Sequence, residues 1–266
     1  MFVDDKWLDE LIKWADENKL SKDDFPRDKE VLRNLKELDL DCKNLLDLPD
    51  ELGNLKDLIR LNLGSNILPF MSENKNQISH LPKTIGNLSH LKELYLNYNN
   101  LASIPEEIGD LKRLNTLGLF YNKLTRLPKE IGNLEELTWL YLGGNQFSSL
   151  PEELSALKSL KVLGLGENHL TNLPKEFAKL QSLKVLNLND NSFTKLPEQV
   201  TLFDLEELYI KGNAIKELPQ ELSHLVNLEQ FFCDDELVNQ AKEIFKDNKK
   251  LSINPQNNPF TMRSKS

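Results

Sequence analysis

The sequence predicts a right-handed α/β solenoid, a curved stack of short repeats in place of one globular core. Three observations carry that expectation. The stretch LNTLGLFYNKLTRLPKEIGNLEE, which starts at Leu114, recurs before and after itself, most copies lying 23 residues apart. Within each copy leucines alternate with other residues, as in Leu117-Gly118-Leu119, the period-two signal of a strand with one apolar side. One asparagine, Asn122 in this copy, keeps its place from repeat to repeat.

With Leu114 as position 1, leucines or close substitutes fall at positions 4, 6, 11 and 14, asparagine at 9 and proline at 15. Position 1 is then Leu35, Leu58, Leu91, Leu114, Leu137, Leu160, Leu183, Leu205 and Leu228, which makes about nine repeats. Two steps depart from 23: Leu58 to Leu91 is 33, an insertion of ten, and Leu183 to Leu205 is 22. A lone short strand cannot bury its apolar side, so stacked neighbours supply the core and the strands line up as a parallel sheet. Position 9 reads Asn66, Asn99, Asn122, Asn145, Asn168, Asn191 and Asn213, although in the second repeat Asn76 fits as well as Asn66. A stacked column of asparagines, each both donor and acceptor, can satisfy the turn backbone that leaves each strand. The column fails at the two ends, where Lys43 and Glu236 stand.

The flanks read as caps. Residues 4–19 put Trp7, Leu8, Leu11, Ile12, Trp14 and Ala15 on one side of a helix, and an apolar solenoid end needs such a cover. A partner-binding helix is the alternative. Residues 1–30 form this amino-terminal cap, 31–236 the repeats and 237–266 a carboxyl-terminal cap and tail. In the last segment Leu237, Val238, Ala241, Ile244 and Phe245 keep helical spacing. The insertion brings Ile67, Leu68, Pro69, Phe70 and Met71, which either fold back on the flank or wait for a partner.

The repeat L-x-x-L-x-L-x-x-N-x-L, followed by L-P-x-x-I-G-x-L, resembles the leucine-rich repeat family over roughly residues 31–236. Its second half is similar to the subclass found in bacterial repeat proteins and in intracellular and plant Ras-group repeat proteins. The resemblance implies a curved horseshoe with the parallel sheet on its concave side, and a non-catalytic module for protein interaction.

Composition narrows the partners. A net charge of -9 and a pI near 5.1 argue against nucleic acid or an anionic membrane, both of which reward a basic stripe. The start MFVDDKWLDE lacks the basic and apolar regions of a secretory signal, and no run of 18 apolar residues would span a bilayer. The expected compartment is the cytoplasm, with export as a bacterial effector an open alternative. Cys42 and Cys233 sit eight strand spacings apart, about 38 Å at ~4.8 Å each, beyond disulfide reach. His80, His90, His169 and His224 share no column, so no metal site is implied, and no phosphate-binding or nucleophile motif occurs. The sequence points to no catalytic residue, no cofactor and a monomer.

Positions 2, 3, 5, 7 and 8 flank the inward leucines and should line the concave side. All five tyrosines of the chain fall there. Tyr95, Tyr98, Tyr121 and Tyr141 share three adjacent repeats with Phe120 and Trp139, beside Gly118, Gly143 and Gly144, which would leave open floor for a ligand. Exposed aromatics with a polar handle suit a protein-binding hot spot; rings stacked across rungs to stiffen the sheet are the competing reading. The candidate protein-binding residues are Tyr95, Tyr98, Phe120, Tyr121, Trp139, Tyr141, Glu167 and Tyr209. Acids in the carboxyl-terminal half (Glu167, Asp190, Glu206, Glu207, Asp234, Asp235) would favour a partner with a basic segment. The rival expectations are an effector or regulatory subunit that targets an enzyme, and a small-ligand or glycan receptor on the same patch.

Overall fold

The computed structural model describes residues 5–64 and 75–254. Ser65, Asn66, the apolar residues 67–71 of the insertion and the tail from Pro255 lie outside the described residues. Each repeat contributes one three-residue strand: β1 Glu37–Asp39, β2 Arg60–Asn62, β3 Glu93–Tyr95, β4 Thr116–Gly118, β5 Trp139–Tyr141, β6 Val162–Gly164, β7 Val185–Asn187, β8 Glu207–Tyr209 and β9 Gln230–Phe232. A tenth, β10 Ser252–Ile253, pairs with β9, and all neighbours are parallel in chain order. The register is the sequence register: Leu94 lies beside Leu117, Leu117 beside Leu140 and Leu140 beside Leu163. Positions 1, 4, 6 and 11 of the central repeat, Leu114, Leu117, Leu119 and Leu124, are all fully buried. The core is therefore one continuous apolar column between sheet and outer limbs.

The asparagine ladder takes a definite form. Asn145 Oδ1 accepts from the Leu124 amide of the preceding rung at 3.0 Å, while its Nδ2 donates to Leu119 O at 2.9 Å and Leu142 O at 3.0 Å. In the second rung Asn76 fills this place: it accepts from the amides of Lys43 and Leu45 and donates to Leu40 O and Leu63 O. The ten extra residues thus fall before position 9. At the far end Asn254 accepts from the Cys233 amide and donates to its carbonyl. An amide side chain there completes a strand edge that has no further rung.

The outer limbs are 3-10 turns of five residues, each opening after the repeat's proline, as in Lys129–Asn133 after Pro128. Proline sets the entry φ, and i→i+3 geometry is common in pieces this short. Gly109 in one such turn lies against its neighbour, since a Cβ there would stand 2.5 Å from Glu130 O. At the amino terminus α1, Lys6–Glu17, buries Leu8, Leu11, Trp14 and Ala15. Trp14 meets Phe25 edge-on, with ring centroids 5.9 Å apart. A short helix that the sequence reading did not anticipate, α2 Lys29–Arg33, is capped by Asp28. Lys29–Asp9 and Arg33–Asp5 ion pairs tie α2 to the first helix and its N-cap. The carboxyl-terminal helix α3 is Val238–Ile244, shorter than the apolar spacing suggested.

Candidate protein-binding face

The sheet turns its outward residues into rows, one per repeat position. Position 8 is the least expected of them. Cys42, Tyr98, Tyr121, Glu167 and Asp190 all have positive φ, between 51° and 57°, and Gly144 and Gly212 share the conformation at 65° and 74°. The chain swings here from strand into the asparagine ladder, and this turn needs a left-handed residue. Glycine takes it freely, whereas another residue gives up about 1 kcal/mol or more.

The aromatics meet across rungs. Tyr98 stacks on Tyr121 with centroids 4.7 Å apart and planes 8° from parallel, and Phe120 stacks on Tyr141 at 5.2 Å. The Tyr121 hydroxyl reaches past Gly144 to donate to Glu167, two rungs on. Tyr95 lies beneath the Arg60 guanidinium, 5.5 Å from its ring centroid, and donates to Glu93 at 3.1 Å. The glycines expected to leave a floor are covered. A Cβ on Gly143 would stand 2.7 Å from Phe120 Cε1, one on Gly144 2.4 Å from Tyr121 Cδ1, and one on Gly118 2.8 Å from Asn97 Oδ1. The absent side chains make room for neighbouring rings and amides, so this region has no vacant floor. Stacking across rungs is present, and it still leaves Tyr95, Tyr98, Phe120, Tyr121 and Tyr141 half-buried, with part of each ring at the surface.

Burial sets the protonation of these phenols. It pushes Tyr95 up to about 12, with the Glu93 charge adding to it, and Tyr98 up to about 12, with Glu167 adding. Burial likewise raises Tyr121, helped by its bond to Glu167, and Tyr141. All are neutral donors near neutral pH.

Trp139 differs from the rest. It is 39% exposed, and no ring stacks on it among the described residues. Its strand neighbours at position 3 are Thr116 and Val162, and Val185 follows Val162. Tyr209 differs in the opposite sense: it is 0% exposed, its ring lies 4.4 Å from that of Phe232, and its hydroxyl donates to Glu207 at 2.5 Å. It presents no surface for a partner, which corrects the expectation placed on it.

Sequence reasoning also missed a second set of amides. Asn62, Asn97, Asn187 and Asn189, at outward positions 5 and 7, are buried. Asn97 accepts from the Phe120 amide, Asn189 from the Lys211 amide and Asn187 from the Asn189 amide. They serve strand-exit amides that the main ladder does not reach. Their recurrence at two outward columns was the available signal. Beyond them Glu167 and Asp190 are exposed and Asp234 is half-buried. Burial, then the charges of Glu167 and Asp234, hold the Asp190 carboxyl above the usual carboxylate range, against the pull of Lys211. Among the described residues no group of three or more histidine, cysteine or acidic side chains could hold a metal ion, and no helix is long and apolar enough to cross a membrane.

Comparison with known proteins agrees with this geometry. A leucine-rich repeat region matches residues 67–165 and a single leucine-rich repeat matches residues 182–202. A solved leucine-rich repeat protein from Leptospira interrogans is 30% identical over 91% of this chain and 74% of its own, with a TM-score of 0.62. The chain belongs to the leucine-rich repeat family. The repeat ectodomain of the membrane receptor kinase GASSHO1/SCHENGEN3 from Arabidopsis thaliana, solved in complex with CASPARIAN STRIP INTEGRITY FACTOR 2, is 31% identical at a TM-score of 0.65. That match spans 76% of this leucine-rich repeat chain and only 24% of the receptor chain. A TDR receptor is 25% identical, covering 82% of this chain and 42% of its own, at a TM-score of 0.59. No curated protein matches this leucine-rich repeat chain by sequence. The family is in general a non-catalytic scaffold for protein interaction.

Proposed function

We propose that this leucine-rich repeat chain is a binding module that takes a protein or peptide on its concave face. The observation that carries the reading is Trp139, two-fifths exposed in the middle of the sheet. An indole left in water at the centre of a concave surface is the side chain most often used as an interface anchor. The half-exposed Tyr98–Tyr121 pair supports it, because both residues hold the left-handed conformation that glycine adopts at Gly144 and Gly212. Backbone strain kept at a surface position points to use. The complex of the Arabidopsis ectodomain shows that a similar scaffold engages another molecule, without naming the partner here.

The site we propose comprises Tyr95, Tyr98, Phe120, Tyr121, Trp139, Tyr141 and Glu167. We also place the chain in the cytoplasm as a monomer, with a protein partner that carries a basic segment. Affinity capture from the native source with wild-type chain, beside the Tyr121→Ala, Trp139→Ala double variant, tests the site. A partner identified there and remade in pure form should bind the double variant at least about tenfold more weakly, the loss of a single hot-spot side chain. Equal binding by both chains would remove these residues from the site.

A further inference from the structure

We propose that the free edge of β1 takes an additional strand, supplied by an extended segment of a partner protein that is rich in lysine or arginine. The site is the amino-terminal edge of the sheet, about 19 Å from Trp139 across four strand spacings of ~4.8 Å, and it does not depend on the concave-face reading above. Parallel pairing fixes which backbone groups of β1 are engaged. Lys36 O accepts from the Arg60 amide at 3.1 Å, and the Leu40 amide donates to Asn62 O at 2.8 Å. Lys36, Leu38 and Leu40 therefore turn their backbone groups to β2, and those of Glu37 and Asp39 face away from it. Among the described residues the Glu37 and Asp39 amides and carbonyls have no partner on that outer side. The cap does not seal this edge. Asp23, Asp24, Pro26 and Leu35 stand across from β1, and a cavity of about 330 Å³ lies between them and the strand. At about 3.3 Å per residue, two or three residues of an extended chain fit beside Glu37–Asp39. Unpaired N–H and C=O groups along an open strand edge are a template for strand addition, in which main-chain bonds supply the affinity.

The charge around the cavity sets the occupant's sign. Asp23, Asp24, Glu37 and Asp39 line it against one cation, Arg60. Arg60 is already engaged, 3.6 Å from Glu93 and over the ring of Tyr95. Of the neighbouring lysines, Lys43 offsets Asp24 at 2.6 Å, Lys36 pairs with Asp57 at 2.5 Å, and Lys22 is exposed and does not line the cavity. Asp39 accepts from the Asp41 amide and from Asn62 Nδ2, both neutral donors. Among the described residues no cation pairs with Asp23, Glu37 or Asp39. Three carboxylates short of countercharge beside an open strand edge complement a segment that carries lysine or arginine. The same carboxylates repel a second β1, which disfavours edge-to-edge pairing of two copies.

The test uses the full chain and three synthetic nonapeptides: lysine alternating with threonine, glutamate alternating with threonine, and the lysine peptide with every amide N-methylated. Binding is followed by calorimetry and by hydrogen exchange of backbone amides in NMR. The lysine peptide should bind at least about tenfold more tightly than either companion, and the Glu37 and Asp39 amides should exchange more slowly in its presence. Glu37→Pro removes one outward amide at the first position of the strand, where proline is tolerated, and should cost at least about tenfold. Glu37→Gln removes the charge alone and should cost about two- to fivefold. Thermal unfolding of each variant checks that the fold is kept, and the methylated peptide decides the matter should Glu37→Pro fail to fold. Equal binding by the methylated peptide would leave charge attraction without strand addition and overturn the proposal, as would equal binding by the glutamate peptide. Protection centred on Trp139 or on β10, with Glu37 and Asp39 unchanged, overturns this placement and leaves the concave-face reading to its own test. Residues 255–266 include Arg263 and Lys265 and no acid. A tenfold gain in affinity on deleting them would overturn an external partner in favour of the chain's own sequence. A concentration-dependent dimer that Glu37→Pro abolishes would overturn it in favour of a second copy.

Discussion

Asn145→Ala is the sharpest test of how the rungs are joined. The substitution removes the acceptor of the Leu124 amide, at 3.0 Å, and the donor to Leu119 O and Leu142 O, at 2.9 and 3.0 Å, beside a longer 3.3 Å contact to Gly143 O, which keeps the Tyr121 amide. The two carbonyls do not lose every partner. Leu119 O also accepts from Asn122 Nδ2 at 3.2 Å, and Leu142 O from Asn168 Nδ2 at 3.0 Å. The Leu124 amide has no second acceptor among the described residues. One orphaned buried donor costs about 1–3 kcal/mol and each of two lost bonds about 0.5–1.5, so the variant should lose about 4 kcal/mol. That is a large share of the ~5–15 kcal/mol that holds a typical domain together. Urea denaturation followed by circular dichroism should show a lower midpoint with an unchanged slope. A loss under about 1 kcal/mol would refute the claim that the ladder is a chief inter-rung bond. Asn145→Asp adds a sign to the test. A carboxylate facing two carbonyls has its folded pKa raised above the unfolded value of about 3.9, so its destabilisation is full above the folded pKa. Stability of that variant should therefore recover as pH falls from 7.

Other outcomes follow from the same contacts. Gly144→Ala puts a Cβ 2.4 Å from Tyr121 Cδ1 at a φ of 65° and should cost about 1–3 kcal/mol, falling to about 1 in a Tyr121→Ala background, as a double-mutant cycle in urea would measure. Asp190→Asn should raise the melting temperature at pH 7. The raised Asp190 pKa makes its charged form a liability above that pKa, so the gain should vanish as pH falls through the ordinary carboxylate range. Near-ultraviolet titration should show clearly less than half of the tyrosines ionised at pH 10, since burial holds Tyr95 and Tyr98 near 12 and raises Tyr121, Tyr141 and Tyr209. A normal tyrosine would be half ionised there, near its unperturbed pKa of about 10.

Much of the fold was legible because a strand's side chains alternate by covalent geometry. Once Leu117 and Leu119 face inward, Thr116, Gly118 and Phe120 must face outward, and the repeat length carries that sorting into every rung. The asparagine column was legible for a related reason, since one residue type at one turn position marks a recurring backbone need. Asn66 against Asn76 could not be decided on the same ground, because both satisfy the local pattern. Only contact with Lys43, Leu45, Leu40 and Leu63 selects Asn76.

The candidate site was legible as a row of positions and not as a surface. Gly143 and Gly144 read as vacancies until the rings of Phe120 and Tyr121, one rung earlier, are seen to fill them. Tyr95 and Tyr209 share position 5, yet one is half-buried under Arg60 and the other is wholly enclosed with Phe232 against its ring. The chain alone determined which side of the sheet each residue occupies, because backbone alternation needs no neighbour. Which outward side chains stay in water was decided by the stacking of one rung on the next, since exposure depends on residues about a full repeat away in sequence.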